Sequence, residues 1–341
     1  MTAGNYAFAP PPAAATTRIW AGTNTHHTLW RSHLHGGVAA LCSSLGQRRL
    51  RVSVNIWDRP PASDERTPAC GELTHIRGAK PVFWRGVFTP QAVAAYDIVW
   101  LFDDDMLLWP PAFLPDAVVG VQRALNASIA TPSMLAQISA ELHPGRCPAL
   151  CRDLGKSLRP GCPAECRATD RKEMFAQQPH PEQAACLSPL SEFQTAFFQA
   201  DAWQSLHVKL LSQLPMRLLS RSDWGLSHAW CGLMRDVFPQ RPSCILVKHV
   251  AAVHLNFNSI DLFAANGSAH KRRGYLQGIP LVRPLVAAAM ATPHRCWSVQ
   301  ELSCSHSSCS RDGARPVLGS DARLGGRLDG GASIQGHGLL A

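Results

Sequence analysis

The chain has 341 residues, enough for one large domain or two small ones, and an apolar fraction of 46%, ordinary for a globular protein. Lys and Arg outnumber Asp and Glu, 33 against 24, but Lys271-Arg272-Arg273 is too short to argue for a nucleic-acid surface. The excess points instead to an anionic substrate such as a nucleotide, or simply to a soluble basic surface, and no stretch approaches the roughly 20 apolar residues of a membrane span.

The first residues are rich in Ala and Pro and lack a basic region followed by an apolar core, so they do not read as a secretory signal. They read as a disordered leader over residues 1–15, or as the start of a chain that lies downstream of a signal or anchor. Thr17 to Trp20 and Leu50 to Trp57 have strand character. Between them Leu34, Val38, Leu41 and Leu45 fall on one helix face, which makes a βαβ unit. A Pro- and charge-rich loop, Asp58 to Pro68, precedes a short strand at Glu72 to Ile76. Pro81 to Tyr96 reads as helical, with Thr89-Pro90 as a second start signal. Asp116 to Leu125 reads as a helix and Ser128 to Thr131 as a short strand. Residues 141–188 are Cys-, Pro- and Arg-rich and form an insertion or lid. Beyond them come a strand at Phe193 to Phe198, a helix over Asp201 to Leu214, and a helix opened by Asp223-Trp224-Gly225. Two strand-like runs follow, Cys244 to Val247 and Ala251 to Leu255, and residues 298–341 read as a low-complexity, disordered tail.

The chemistry concentrates at Ile98 to Asp105. A five-residue run, Ile98-Val99-Trp100-Leu101-Phe102, suits a buried strand and stops on Asp103-Asp104-Asp105. Three adjacent acids repel one another unless a cation or a sheet-edge position relieves them. Ligands of open α/β sheets bind at the carboxyl ends of strands, where these acids fall. An oxygen-rich site of this kind suits Mg²⁺ or Mn²⁺ shared with substrate phosphates. The alternative is a solvated acidic turn.

Two further groups extend that reading. Asp223 sits at a helix start beside Trp224 and Gly225. It is either an N-cap or a general base on a sugar hydroxyl, with Trp224 stacking on the ring. His254 ends the apolar run Val250 to Val253, where a histidine can complete a metal site begun by upstream carboxylates or serve as a half-buried structural residue.

The twelve cysteines include Cys147, Cys151, Cys162 and Cys166, spaced C-x3-C-x10-C-x3-C. Zinc ligation, disulfides in an oxidising lumen such as the Golgi, and free thiols all remain open for them. Asn126-Ala127-Ser128 and Asn266-Gly267-Ser268 fit the glycosylation acceptor pattern.

In their order, these blocks resemble an uncharacterised plant, algal and bacterial family of glycosyltransferases with a GT-A-like nucleotide-sugar fold. The resemblance is carried by Ile76 to Trp84 with Lys80, Tyr96-Asp97, Asp103-Asp104-Asp105, Ala196-Phe197-Phe198 with Ala202-Trp203, Trp224-Gly225-Leu226, and Ala252-Val253-His254. It covers about residues 72–260 and departs from the family in the 141–188 insertion. It implies a three-layer α/β fold with a central mixed sheet, in a single domain over residues 16–285. It implies metal ligation by Asp105 and His254, and contact of Asp103 with metal or nucleotide. Asp104 and Trp224 join the cofactor-binding set, and Asp223 the catalytic one. The expected activity is metal-dependent transfer of a sugar from a nucleotide-sugar donor to a glycan or other hydroxyl acceptor, with Mn²⁺ or Mg²⁺. The alternatives are a non-catalytic GT-A-like glycan-binding or assembly protein, and a metal-dependent nucleotidyl or phosphoryl transferase. The absence of a Walker A motif argues against a P-loop form of the last.

Overall fold

The computed structural model describes residues 16–108, 115–136, 182–191, 194–220, 223, 226–254, 279–293 and 295–304. They belong to one contact unit, Met1–Ser308. The chain starts with β1 (Ile19–Thr25), α1 (His27–Leu29), a π-helical turn (Trp30–Leu34), α2 (His35–Leu45), β2 (Leu50–Ile56) and β3 (Gly71–Thr74). Next come α3 (Lys80–Val87), α4 (Pro90–Val93), β4 (Ile98–Phe102), α5 (Pro115–Ala124) and β5 (Ile129–Ala136). After a stretch outside the described residues come β6 (Gln183–Leu187), β7 (Thr195–Gln199), α6 (Ala200–Leu206), a second π-helical turn (His207–Leu211) and α7 (Met216–Leu219). The last elements are α8 (Leu226–Val237), β8 (Cys244–His254), α9 (Arg283–Met290), β9 (Cys296–Ser298) and α10 (Val299–Cys304).

The strands form one nine-stranded mixed sheet in the order β3-β2-β1-β4-β7-β5-β8-β6-β9. β1 lies parallel to β2 on one side and to β4 on the other, while β7 runs antiparallel to both β4 and β5. Two reversals leave β5, and β8 parallel to it, pointing the same way as β4. The carboxyl ends of β1, β4 and β8 therefore share one edge of the sheet. The chain builds outward from β1 through β2 to β3, then crosses back to β4 on β1's other side. That places the topological switch, where open α/β sheets bind ligands, between β1 and β4.

Alternation along the strands explains the three layers. Ile98, Trp100 and Phe102 of β4 and Phe197 of β7 enter one core with Val38 and Leu41 of α2 and Val118, Val119 and Val121 of α5. Val99, Leu101, Ala196 and Phe198 enter the other, with Phe83 and Trp84 of α3, Trp203 and Leu206 of α6, and Trp230 of α8. The central strands are buried on both faces, so their sequences are apolar throughout rather than alternating. Trp100 stacks on Phe197 with centroids 5.0 Å apart, and its indole N–H donates to the Thr195 hydroxyl at 2.8 Å.

The expected three-layer α/β fold with a mixed sheet is present, and β4 has the expected bounds. Thr89 caps α4 as its sequence signals, its hydroxyl accepting the Ala92 N–H at 3.3 Å. Several boundaries differ. β1 runs on to Thr25, because Thr23, Asn24 and Thr25 are buried in the sheet despite their polarity. The two runs at Cys244 and Ala251 are one strand, β8, with a register shift opposite Pro132 and Ser133 of β5. Proline has no N–H to give the ladder, so the register breaks where β5 has one bond fewer to offer. Gln183–Leu187, expected inside the insertion, is a sheet strand, and order continues through α10 into the segment read as tail.

Three disulfides brace the described residues: Cys42–Cys70, Cys186–Cys296 and Cys231–Cys244. Cys186 and Cys296 face each other across the β6–β9 ladder. The four-cysteine cluster at Cys147 to Cys166 lies outside the described residues, as does Asn266. No described helix is long and apolar enough to cross a membrane.

Candidate functional site

The acidic turn continues β4 at the switch point. The Asp103 N–H donates to the Gln194 carbonyl at 2.9 Å, which carries the β4–β7 pairing one step beyond the strand. The Met106 N–H turns back to the Asp103 carbonyl at 3.3 Å. Met106 then makes an antiparallel bridge with His254, the last residue of β8. This bridge brings a histidine 149 positions after Asp105 beside it: His254 Nε2 lies 2.9 Å from Asp105 Oδ1. His33, in the first π-helical turn, holds the Met106 carbonyl at 3.2 Å.

Asp103, Asp105 and His254 each offer one ligand atom, and these atoms lie within 4.8 Å of one another. Asp104 and Asp105 are only 5% and 4% exposed, and His254 7%. The buried Nδ1 of His254 has no hydrogen-bond partner among the described residues. Two carboxylates and one imidazole form a donor set that fits a divalent cation.

Lys80 is the cation of the cluster. It opens α3, and its ammonium pairs with Asp103 Oδ1. The turn before it requires Gly78, whose φ of +127° few other residues adopt. There the Ala79 N–H donates to the Ser220 carbonyl at 3.2 Å, joining the Lys80 turn to the segment just before Asp223. Asp223 precedes α8, and its carbonyl accepts the Leu226 N–H at 3.1 Å.

Electrostatics records this crowding. Burial, and then the charge of Asp105, pushes the Asp104 carboxyl up to about 7, although Lys80 and a hydrogen bond from Thr25 oppose the shift. Burial also lifts Asp103, with the adjacent Lys80 pulling the other way. Lys80 is half-buried, and its desolvation disfavours the charge, yet Asp103, Asp223 and Asp104 together hold it above its ordinary range. His254 is likewise disfavoured as a cation by burial, but its hydrogen bond to Asp105 and the nearby carboxylates raise it. Lys80 and His254 offset part of the acids' mutual repulsion, and Asp104 holds its proton up to near neutral pH. A divalent cation can take over that relief.

The structure thus gathers Asp103, Asp104, Asp105 and His254 at one sheet edge, with Asp223 close enough to act on Lys80. Trp224 lies outside the described residues. Lys80 and Thr25 carry no role in the sequence reading. Lys80 stood in view as part of the Ile76 to Trp84 block, but a lysine 23 positions upstream of the acids reveals its partner only once α3 is placed. A cavity of about 510 Å³ opens farther along, between the helical turns after β1 and the loop after β2, lined by His27, Arg31, Arg59, Glu65 and Arg66 among others.

No protein-family model matches the chain, and no curated protein does. Solved structures similar to it include a mannosyltransferase from Pyrobaculum calidifontis in complex with GDP-Man and Mn²⁺. That likeness is 13% in sequence, spans 91% of this chain and 81% of that one, and has a TM-score of 0.43. Glucosyl-3-phosphoglycerate synthase from Mycobacterium tuberculosis, in complex with Mn²⁺, UDP and phosphoglyceric acid, is 15% identical over 85% of this chain and 90% of its own, with a TM-score of 0.43. TarS from S. aureus is 11% identical over 80% and 71%, with a TM-score of 0.42. Likenesses this distant say nothing of what this chain does, so its chemistry is read from the site.

Proposed function

We propose that the chain is a metal-dependent glycosyltransferase that moves a sugar from a nucleotide-sugar donor to a hydroxyl acceptor. The observation that carries this reading is the convergence of Asp103, Asp105 and His254 at the sheet's switch point, beside the half-buried cation Lys80. In this reading those three residues hold the cation, and the imidazole in the set favours Mn²⁺ over Mg²⁺, which prefers oxygen ligands and gives up water reluctantly. When bound, the ion supplies charge neutralisation to the departing diphosphate. Lys80 adds a second positive charge to the same cleft and pairs with a phosphate oxygen, trading one anionic partner for another. Asp104, turned toward Thr25, sets the turn and leaves its neighbours to face the ligand.

Asp223 is the general base in this scheme. The acceptor oxygen forms a bond to the sugar's anomeric carbon as the bond from that carbon to the diphosphate oxygen breaks, and the hydroxyl proton goes to the Asp223 carboxylate. Support comes from position: Asp223 acts on Lys80 from the start of α8, on the same cleft as the acids.

A thermal-shift screen of nucleoside diphosphates with and without Mn²⁺ tests the donor half, because a ligand that binds only the folded state raises its stability. Stabilisation should require metal and diphosphate together and should disappear in Asp105→Asn. Asp223→Asn separates the two halves. It should keep metal-dependent nucleotide binding while sugar transfer falls by about 10²–10⁴-fold, the usual cost of losing a general base. Asn caps helices as well as Asp does, so a residue that is only a cap would leave turnover untouched. No metal-dependent response to any nucleoside diphosphate would overturn the reading.

A further inference from the structure

We infer that Asn126 is an N-glycosylation site, modified in the lumen of a secretory compartment before the chain folds. The inference does not depend on the glycosyltransferase reading. Three disulfides among the described residues place folding in an oxidising compartment. In eukaryotic cells the same lumen attaches glycans to Asn-x-Ser/Thr, and Asn126-Ala127-Ser128 fits that pattern.

The geometry suits a glycan. Asn126 is exposed at the tip of the turn between α5 and β5, with φ +50°, a left-handed conformation in which Asn is one of the favoured residues. Its backbone N–H closes the turn on the Arg123 carbonyl at 3.0 Å. The side-chain oxygen accepts from Gln199 Nε2 at 3.3 Å, whereas its Nδ2 has no partner among the described residues. A sugar replaces one hydrogen on Nδ2 and leaves that oxygen free to keep its bond. The turn also lies at the amino end of β5. Since β5 and β8 run parallel, this is the sheet edge opposite His254. A glycan there stays clear of the acidic cleft.

The next two residues set the timing. Ala127 and Ser128 are fully buried. The Ser128 hydroxyl accepts from Arg241 Nε at 2.8 Å, and its N–H donates to the Pro242 carbonyl at 2.9 Å. An enzyme that must read the serine hydroxyl cannot reach it once β5 has paired with β8. The transfer therefore precedes folding. The Asn126 amide nitrogen bonds to the anomeric carbon of a lipid-diphosphate-linked oligosaccharide, the bond from that carbon to the diphosphate breaks, and the amide loses one proton.

The test is to direct the full chain into the secretory lumen of a eukaryotic host and map the peptides before and after enzymatic deglycosylation. Wild type should carry a glycan on Asn126. Asn126→Asp, which tolerates the same turn, should lose one glycan unit, and Ser128→Thr should keep it. Finding the Asn126 peptide unmodified in secreted, disulfide-bonded protein would overturn the inference. So would an unchanged glycan mass in Asn126→Asp. If the variants fail to leave the cell, the wild-type peptide map decides alone.

Discussion

Asp104→Asn isolates what it costs to crowd three carboxylates at a buried strand end. Burial and Asp105 lift the Asp104 carboxyl from 3.8 to about 7. Between those values the folded chain holds more protons than the unfolded one, so stability falls as pH rises through the window. At about 1.4 kcal/mol per unit, the metal-free protein loses about 4 kcal/mol to this group once the pH is above both values. Asparagine has the same shape, keeps an oxygen that accepts from Thr25, and has no proton to lose. It also relieves the repulsion that Asp103 and Asp105 feel. The assay is urea unfolding of wild type and variant, with a chelator present, at about pH 5 and about pH 8. Between the two, wild type should lose roughly 3 kcal/mol more than the variant. Excess Mn²⁺ should narrow that gap, because a cation held by Asp103, Asp105 and His254 favours the ionised form of the neighbouring Asp104 carboxyl. Parallel pH dependence of wild type and variant in metal-free buffer would refute the electrostatic account of the cluster.

Lys80→Met removes the ammonium that pairs with Asp103 and feels Asp104 and Asp223. Nucleoside-diphosphate affinity in the presence of Mn²⁺, read by calorimetry, should weaken by about ten- to hundredfold, the worth of one charge-assisted hydrogen bond. Replacing Cys186 and Cys296 together by Ser opens a cross-link spanning 110 positions. Denaturant unfolding should show a loss of roughly 4–5 kcal/mol, and an unchanged midpoint would mean the link does not restrain the unfolded chain. Gly232→Ala in α8 would put a Cβ 1.8 Å from the Leu285 carbonyl oxygen in α9. Better helix propensity returns only about 1 kcal/mol, while overpacking costs up to about 3, so the melting temperature should fall.

Local pattern carried much of this molecule. A five-residue apolar run ending in three acids names both a buried strand and the place where its charges must be relieved, and β4 has those bounds. Thr89-Pro90 announces α4 because capping and proline's fixed φ are properties of adjacent residues. The apolar faces of α2 and α5 were legible for the same reason: helical period is written in the sequence. Polar strand residues were not legible. Thr23 to Thr25 resemble a turn until β2 pairs with them, because only a neighbouring strand decides whether a threonine is buried. Long-range pairing was hidden altogether. Gln183–Leu187 is short and bears no signal that it will lie between β8 and β9, or that Cys186 will meet Cys296.

The site divides along the same line. The sequence by itself determined the chemical types: three carboxylates after a strand, a histidine after another, an acid before a helix. Which of them meet was decided only in three dimensions. His254 reaches Asp105 because two antiparallel reversals bring the carboxyl ends of β4 and β8 to one edge, and the Met106 bridge fixes their register. Lys80 joins the cluster because a turn through Gly78 packs against Ser220. Charge acts through space rather than along the chain, so the balance of the acids could be read only once the folded sheet had set the distances.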